Sequence, residues 1–213
     1  MSGPVLAGAA LRRARLAAVM VHGRDQDEQV MLDLATRLAL DDVAYVLPVS
    51  PRRSWYGGRY FDPLAVNEAE LAGALGACED ALALVRHGRV EESRTVLVGF
   101  SQGACVVAEL AARRPRPWAA VAVLTGSLMG VPGARAVAAS PAGGLPMLFA
   151  SSRYDEWVGA EDVRATADAF AGAGARVALE LCDDRVHEIC DHAVGSLRRM
   201  IACPSAQIGC ARK

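Results

Sequence analysis

Lysine is almost missing from this chain: of 213 residues the only one is Lys213, at the last position. Schiff-base chemistry and a lysine-bearing phosphate loop therefore lack their central residue. Charge of one sign is missing too. The formal net charge is −1, and the pairs Arg12-Arg13, Arg52-Arg53, Arg113-Arg114 and Arg198-Arg199 are scattered, so no basic stripe follows a phosphate backbone and nucleic acid is set aside as a partner. Hydrophobic residues reach 53%, inflated by alanine, yet no apolar run is long enough to cross a bilayer. Met1 to Pro4 lacks the basic segment of a secretion signal, and the expected location is cytoplasmic. No Cys-x-x-Cys pair occurs among Cys78, Cys105, Cys182, Cys190, Cys203 and Cys210. They read as buried or reduced thiols, with a Cys203–Cys210 pair left open. The length predicts a single domain over 1–213.

What is present is an alternation of short apolar runs with helix-period segments. Arg15 to Val21 and Val43 to Pro48 are strand-like, and Val30, Met31, Leu34, Ala35 and Leu38 repeat at helical spacing between them. A second helix is predicted with Asn67 as N-cap and Glu70 three residues on, burying Leu71, Ala74, Cys78, Leu82 and Val85 until His87-Gly88 stops it. Strands are predicted from Thr95, over Ala119 to Leu124, Pro146 to Ser151 and Arg176 to Leu181. Helices are predicted after Gly103, over Ala160 to Ala171 and near Ile189 to Ala202. The fold class is α/β, with a mostly parallel central sheet and helices on both faces. The longest irregular stretch, Thr125 to Gly144, is Gly, Ala and Pro rich and leaves no room for a lid domain.

Gly99-Phe100-Ser101-Gln102-Gly103 follows one of these strands and precedes a helix. A serine on such a strand-to-helix turn is exposed in a constrained backbone, with glycines where side chains would collide with neighbouring elements. A hydroxyl needs a base, a carboxylate to orient it and donors for the developing oxyanion. The loops at the carboxyl ends of the strands supply candidates. His187 leaves the last strand and is the preferred base over His22, His87 and His192. Asp155, in the loop after Ser151, is the preferred orienting acid, ahead of Glu156, Asp183 and Asp184. The order Ser, Asp, His then separates this chain from the two other common serine triads. The backbone N–H groups of Gln102 and Arg24 are the oxyanion candidates, with Gly23 permitting the turn after His22. The cleft wall is expected from Trp55, Tyr56, Tyr60, Phe61, Leu128, Met129, Val131 and Trp157, with His22 and Gly23 also counted among the substrate-binding residues. Cys182, His187, Cys190, Asp191 and His192 crowd one span, but their spacing matches neither a zinc finger nor a His-Glu-x-x-His helix, and no metal is assigned.

Taken with Ser54-Trp55-Tyr56 after the second strand and Gly-Phe-Ser-Gln-Gly-Ala at 99–104, these residues resemble the bacterial phospholipase/carboxylesterase family. This family comprises small lidless α/β-hydrolases and includes acyl-protein thioesterases. The resemblance covers nearly the whole chain. It implies an α/β-hydrolase fold and hydrolysis of small carboxylic esters through an acyl-enzyme, with Ser101, Asp155 and His187 as the triad and no cofactor. Thioesters, acyl-protein thioesters or lysophospholipids handled by the same triad stay open as alternatives, as do a non-catalytic binding domain and a homodimer. The chain departs from the family at Arg24-Asp25-Gln26-Asp27, at Asp155-Glu156-Trp157-Val158-Gly159 and at Arg185-Val186-His187-Glu188.

Overall fold

The computed structural model describes residues 3–131, 137–138 and 144–203. Strands β2 (Leu16–Val21), β3 (Val43–Leu47), β4 (Thr95–Phe100), β5 (Ala120–Leu124) and β6 (Pro146–Ser152) are buried at every residue. That is why they read as unbroken apolar runs: a strand covered on both faces has no polar side to show. Strand β7 (Arg176–Cys182) is partly exposed at one edge of the sheet. The opposite edge is β1 (Val5–Gly8), a strand not foreseen in the sequence, where half-buried and exposed residues alternate. The described residues form one seven-stranded sheet in the order β1-β3-β2-β4-β5-β6-β7. Only the β1–β3 pair is antiparallel among them.

Successive residues of each strand feed opposite cores, as the pleat demands. Val19, Val21, Leu97, Val121, Val123 and Phe149 pack beneath α2 (Leu64–His87), α3 (Gln102–Arg113) and α4 (Ala160–Gly172). Their neighbours Ala18, Met20, Val96, Val98, Ala122 and Leu148 meet α1 (Glu28–Leu38) and α5 (Asp191–Ala202) on the other face. This is the two-faced architecture of an α/β-hydrolase, and among the described residues no lid domain covers it. No helix among them is long and apolar enough to cross a membrane.

The chain departs from the sequence-based expectation at α2. This helix begins at Leu64, behind Pro63, and Asn67 lies inside it rather than capping it. Asn67 is buried because a loop needs its amide: Oδ1 accepts the Gly58 N–H at 3.0 Å and Nδ2 donates to the Arg59 carbonyl at 2.9 Å. Glu70 likewise reaches away from its own helix and accepts the Gly57 N–H at 2.6 Å. Pro63 occupies the N-cap position with no side-chain acceptor to offer, and its carbonyl takes the Val66 N–H at 2.8 Å.

β3 lies on one side of β2 and β4 on the other, so the order of strand addition reverses there. A crevice opens at the carboxyl ends of strands at such a point. It closes to molecular contact at α3: a Cβ on Gly103, in the first turn of that helix, would meet the carbonyl oxygens of Val21 and His22. Gly103→Ala is expected to lower stability by about 3 kcal/mol, the upper end of ordinary overpacking, because backbone cannot rotate aside as a side chain can. The urea midpoint of the purified variant checks this.

Candidate active site

Ser101 sits between β4 and α3 with φ 53° and ψ −118°, a left-handed conformation that an L-residue adopts at a cost of about 1–3 kcal/mol. The surrounding hydrogen bonds hold it there. Its N–H donates to the Leu124 carbonyl at 2.9 Å, and its own carbonyl accepts the Ala104 N–H at 2.9 Å. Its hydroxyl oxygen lies 2.7 Å from His187 Nε2.

The imidazole is held from its other side. His187 Nδ1 is 2.7 Å from Asp155 Oδ2, while Asp155 Oδ1 accepts the N–H groups of Trp157 and Val158, both at 2.8 Å. Burial would raise this carboxyl, but the His187 hydrogen bond and the two N–H groups outweigh burial and hold it below the ordinary carboxylate range. An ionised Asp155 accepts only, so the shared proton resides on Nδ1 and Nε2 is left to accept from the Ser101 hydroxyl. The two loops are laced together: Arg153 N–H donates to the Cys182 carbonyl, Tyr154 N–H to the Asp184 carbonyl and Ser152 Oγ to the Val186 carbonyl, the last at 2.6 Å. Of the rival acids, Asp183 pairs with Arg153 at 3.5 Å and Asp184 accepts the Val186 N–H at 3.3 Å.

Gln102 opens α3, where first-turn N–H groups have no intrahelical acceptor. Among the described residues neither its N–H nor that of Arg24 donates to a protein acceptor. The Gln102 side chain is engaged elsewhere: Oε1 accepts the Trp55 N–H at 2.8 Å and Nε2 donates to the Tyr56 carbonyl at 2.6 Å. Trp55 in turn donates its indole N–H to the His22 carbonyl at 2.8 Å and packs against the His22 ring, centroids 4.9 Å apart.

Beside Ser101 lies a cleft of about 670 Å³, a volume suited to a small organic ligand. Of the expected substrate wall it includes Tyr56, Tyr60, Phe61 and Trp157, the last 72% exposed at the rim. His22, Gly23, Trp55, Leu128 and Met129 do not line it, which corrects the expectation. The His22 ring is buried against the Gly23 carbonyl at 2.7 Å and the Gly23 N–H is taken by Gln26 Oε1 at 2.8 Å, while the other three are drawn inward by hydrogen bonds to distant residues. The Trp55 indole is bolted to β2's end as above. Leu128 N–H binds Thr166 Oγ1 at 3.0 Å and Met129 N–H binds Glu109 Oε1 at 2.9 Å, which turns both side chains into the core. Val131 is exposed but lies off the cleft.

Several lining residues were not identified from sequence: Cys105, one turn along α3 from Ser101, Val158 beside the acid, and the Gly57-Gly58-Arg59 backbone. The Arg24 side chain is part of the lining as well. Its guanidinium donates to the carbonyls of Gly57, at 3.1 Å, and Gly58, at 2.5 Å, closing one wall. The run Gly57 to Phe61, glycines beside aromatics, was the available signal. The five residues weighed for a metal disperse: His187 turns to Asp155, Asp191 pairs with Arg37 and His192 with Glu180. Cys182 and Cys190 remain together. Cys210 lies outside the described residues, as does any Cys203–Cys210 pair.

The model of the phospholipase/carboxylesterase family matches residues 9–204. Among solved structures, a phospholipase/carboxylesterase from Dyadobacter fermentans is 24% identical with a TM-score of 0.87, over 95% of this chain and 97% of that one. A carboxylesterase from Mesorhizobium loti is 21% identical with a TM-score of 0.74 over 93% of both chains. The esterase PE8 is 20% identical with a TM-score of 0.79, over 94% of this chain and 97% of that one. A comparison with curated proteins finds no match.

His22 carries a pH signature. Burial lowers its basicity below the ordinary 6.5, against the smaller opposing effect of its hydrogen bond to the Gly23 carbonyl. The unfolded chain takes up a proton near pH 6.5 and the folded chain does not, so His22 makes stability rise with pH up to about 6.5 and fall below it. Between about pH 7.5 and about pH 5.5 the denaturant midpoint of wild type is expected to drop further than that of His22→Gln.

Proposed function

Since the chain belongs to the phospholipase/carboxylesterase family and is an esterase-type hydrolase, we propose that Ser101 is its nucleophile, His187 its base and Asp155 the residue that orients the base. The observation that carries this reading is the unbroken line from Ser101 Oγ to His187 Nε2, and from His187 Nδ1 to Asp155 Oδ2, 2.7 Å at each step.

The chemistry follows from the atoms on that line. As Ser101 Oγ attacks the ester carbonyl, its proton passes to Nε2, and the resulting imidazolium is stabilised by the carboxylate behind it. Negative charge that develops on the carbonyl oxygen is met by the N–H groups of Gln102 and Arg24, neither of which is otherwise spent. The imidazolium then protonates the departing alkoxide. An acyl group remains on Ser101, and water, deprotonated by the same nitrogen, releases it. The substrate class we propose is a small carboxylic ester, with Tyr56 and Trp157 against its apolar portion. The cleft supports this choice: it is of modest volume and open, with no lid domain among the described residues to enclose a long acyl chain.

Ser101→Ala is expected to lower kcat by about a millionfold and to abolish labelling by a fluorophosphonate, while the fold is retained. Asp155→Asn, which leaves the imidazole with the wrong tautomer, should cost about ten-thousandfold. Turnover of p-nitrophenyl esters of graded chain length, beside matched thioesters, measures both variants. Short esters turning over fastest is the expected ranking. A thioester preference would replace the substrate but keep the triad, and full biological activity in Ser101→Ala would overturn the catalytic reading.

A further inference from the structure

Two thiols that the proposed chemistry does not use lie against each other at the base of the His187 loop. Cys182 ends β7 and Cys190 precedes the first turn of α5, with the sulfurs 3.0 Å apart. That is within about 1 Å of a disulfide bond length. Backbone on both sides holds them so. Cys182 is paired with Ser152 across the sheet and its carbonyl accepts the Arg153 N–H at 2.7 Å. The Cys190 carbonyl accepts the Val194 N–H at 3.1 Å, and its sulfur accepts the Ala193 N–H at 3.4 Å. Both residues are partly exposed, whereas Cys78 and Cys105 are buried.

We infer that Cys182 and Cys190 form a reversible disulfide that ties together the two ends of the loop carrying His187, made by a peroxide-class oxidant and undone by a dithiol. Cys190 reacts first. Burial, the neighbouring thiol and the carboxylates of Asp184 and Glu180 push the Cys182 thiol up to about 12, so it is a poor opening nucleophile. Cys190 sulfur attacks one peroxide oxygen: a sulfur–oxygen bond forms, the oxygen–oxygen bond breaks and water leaves, giving a sulfenic acid. Cys182 sulfur then attacks that sulfur, the sulfur–sulfur bond forms, the sulfur–oxygen bond breaks, and the Cys182 proton departs with the hydroxide as a second water. Two thiols lose two electrons and the peroxide gains them.

The consequence is restraint rather than blockade. The loop between the cysteines is already fixed by the Ser152–Val186 and Tyr154–Asp184 hydrogen bonds, and the new bond lies at the loop's ends, not at the imidazole. Cross-linking a short loop removes freedom from the unfolded chain.

The experiment uses the full chain with Cys203→Ser and Cys210→Ser, so that only Cys78, Cys105, Cys182 and Cys190 remain. After peroxide treatment, peptide mapping without reductant is expected to find Cys182 joined to Cys190 with the mass of two hydrogens lost, restored by dithiothreitol. The oxidised protein should melt higher by roughly 5 °C. Cys182→Ser and Cys190→Ser should show neither the link nor the rise. Serine at 190 keeps an oxygen for the Ala193 N–H, so that variant retains its helix start. The inference is overturned if both thiols stay reduced at peroxide levels that oxidise Cys203 in the parent chain, if Cys190 passes to sulfinic acid without a link, or if linked and reduced proteins melt together. Mass and melting read this out whether or not the chain hydrolyses esters.

Discussion

Because Gly103 has no side chain, the first turn of α3 lies directly against the carbonyls that end β2, and the remaining geometry of the site is hung on that contact. It sets where α3 begins, so it fixes Ser101 at the entry to the helix. It also brings the β2 loop, with Arg24, within reach of the same point. Move the helix away by the width of a methyl group and Ser101 would part from the β2 loop, where a Cβ on Gly23 would stand 3.2 Å from the Ser101 Cβ. Gly99 guards the contact from the other side, since a Cβ there would run into the backbone of Gly103 and Ala104.

Around that contact, polar side chains are used to hold irregular backbone rather than to face solvent. Gln102 binds the main chain of Trp55 and Tyr56, Asn67 that of Gly58 and Arg59, Glu70 that of Gly57, and Arg24 the carbonyls of Gly57 and Gly58. A loop with no ladder of its own must satisfy its N–H and C=O groups somehow. Here four side chains from three separate segments do it, and the cleft acquires a wall whose position is as determined as that of the sheet. On the other side, the loops that carry Asp155 and His187 satisfy one another.

How much of this could be read from the residue order depends on how far away the deciding partner lies. Strands β2 to β6 were legible because burial on both faces leaves a purely apolar run, and the amphipathic helices because their period is local. β1 was not: four residues at a sheet edge, alternating in exposure, carry little signal. Asn67 and Glu70 look like the opening of a helix, and they became loop anchors because Gly58 and Gly57 sit opposite them, a fact of tertiary arrangement. Ser101, Asp155 and His187 could be nominated from the residue order because each occupies a strand-end loop whose location follows from topology alone. The cleft wall could not, since the direction taken by Trp55, Leu128 or Met129 is chosen by bonds to His22, Thr166 and Glu109, which are distant in the chain.

At Ser101 the backbone and the side chain favour different residues. Its torsions belong to glycine's territory, so Ser101→Gly would relax the turn, yet it would leave His187 Nε2 without the hydroxyl it meets at 2.7 Å. Serine there keeps the chain in a strained conformation and, by the same stroke, keeps an oxygen against the imidazole.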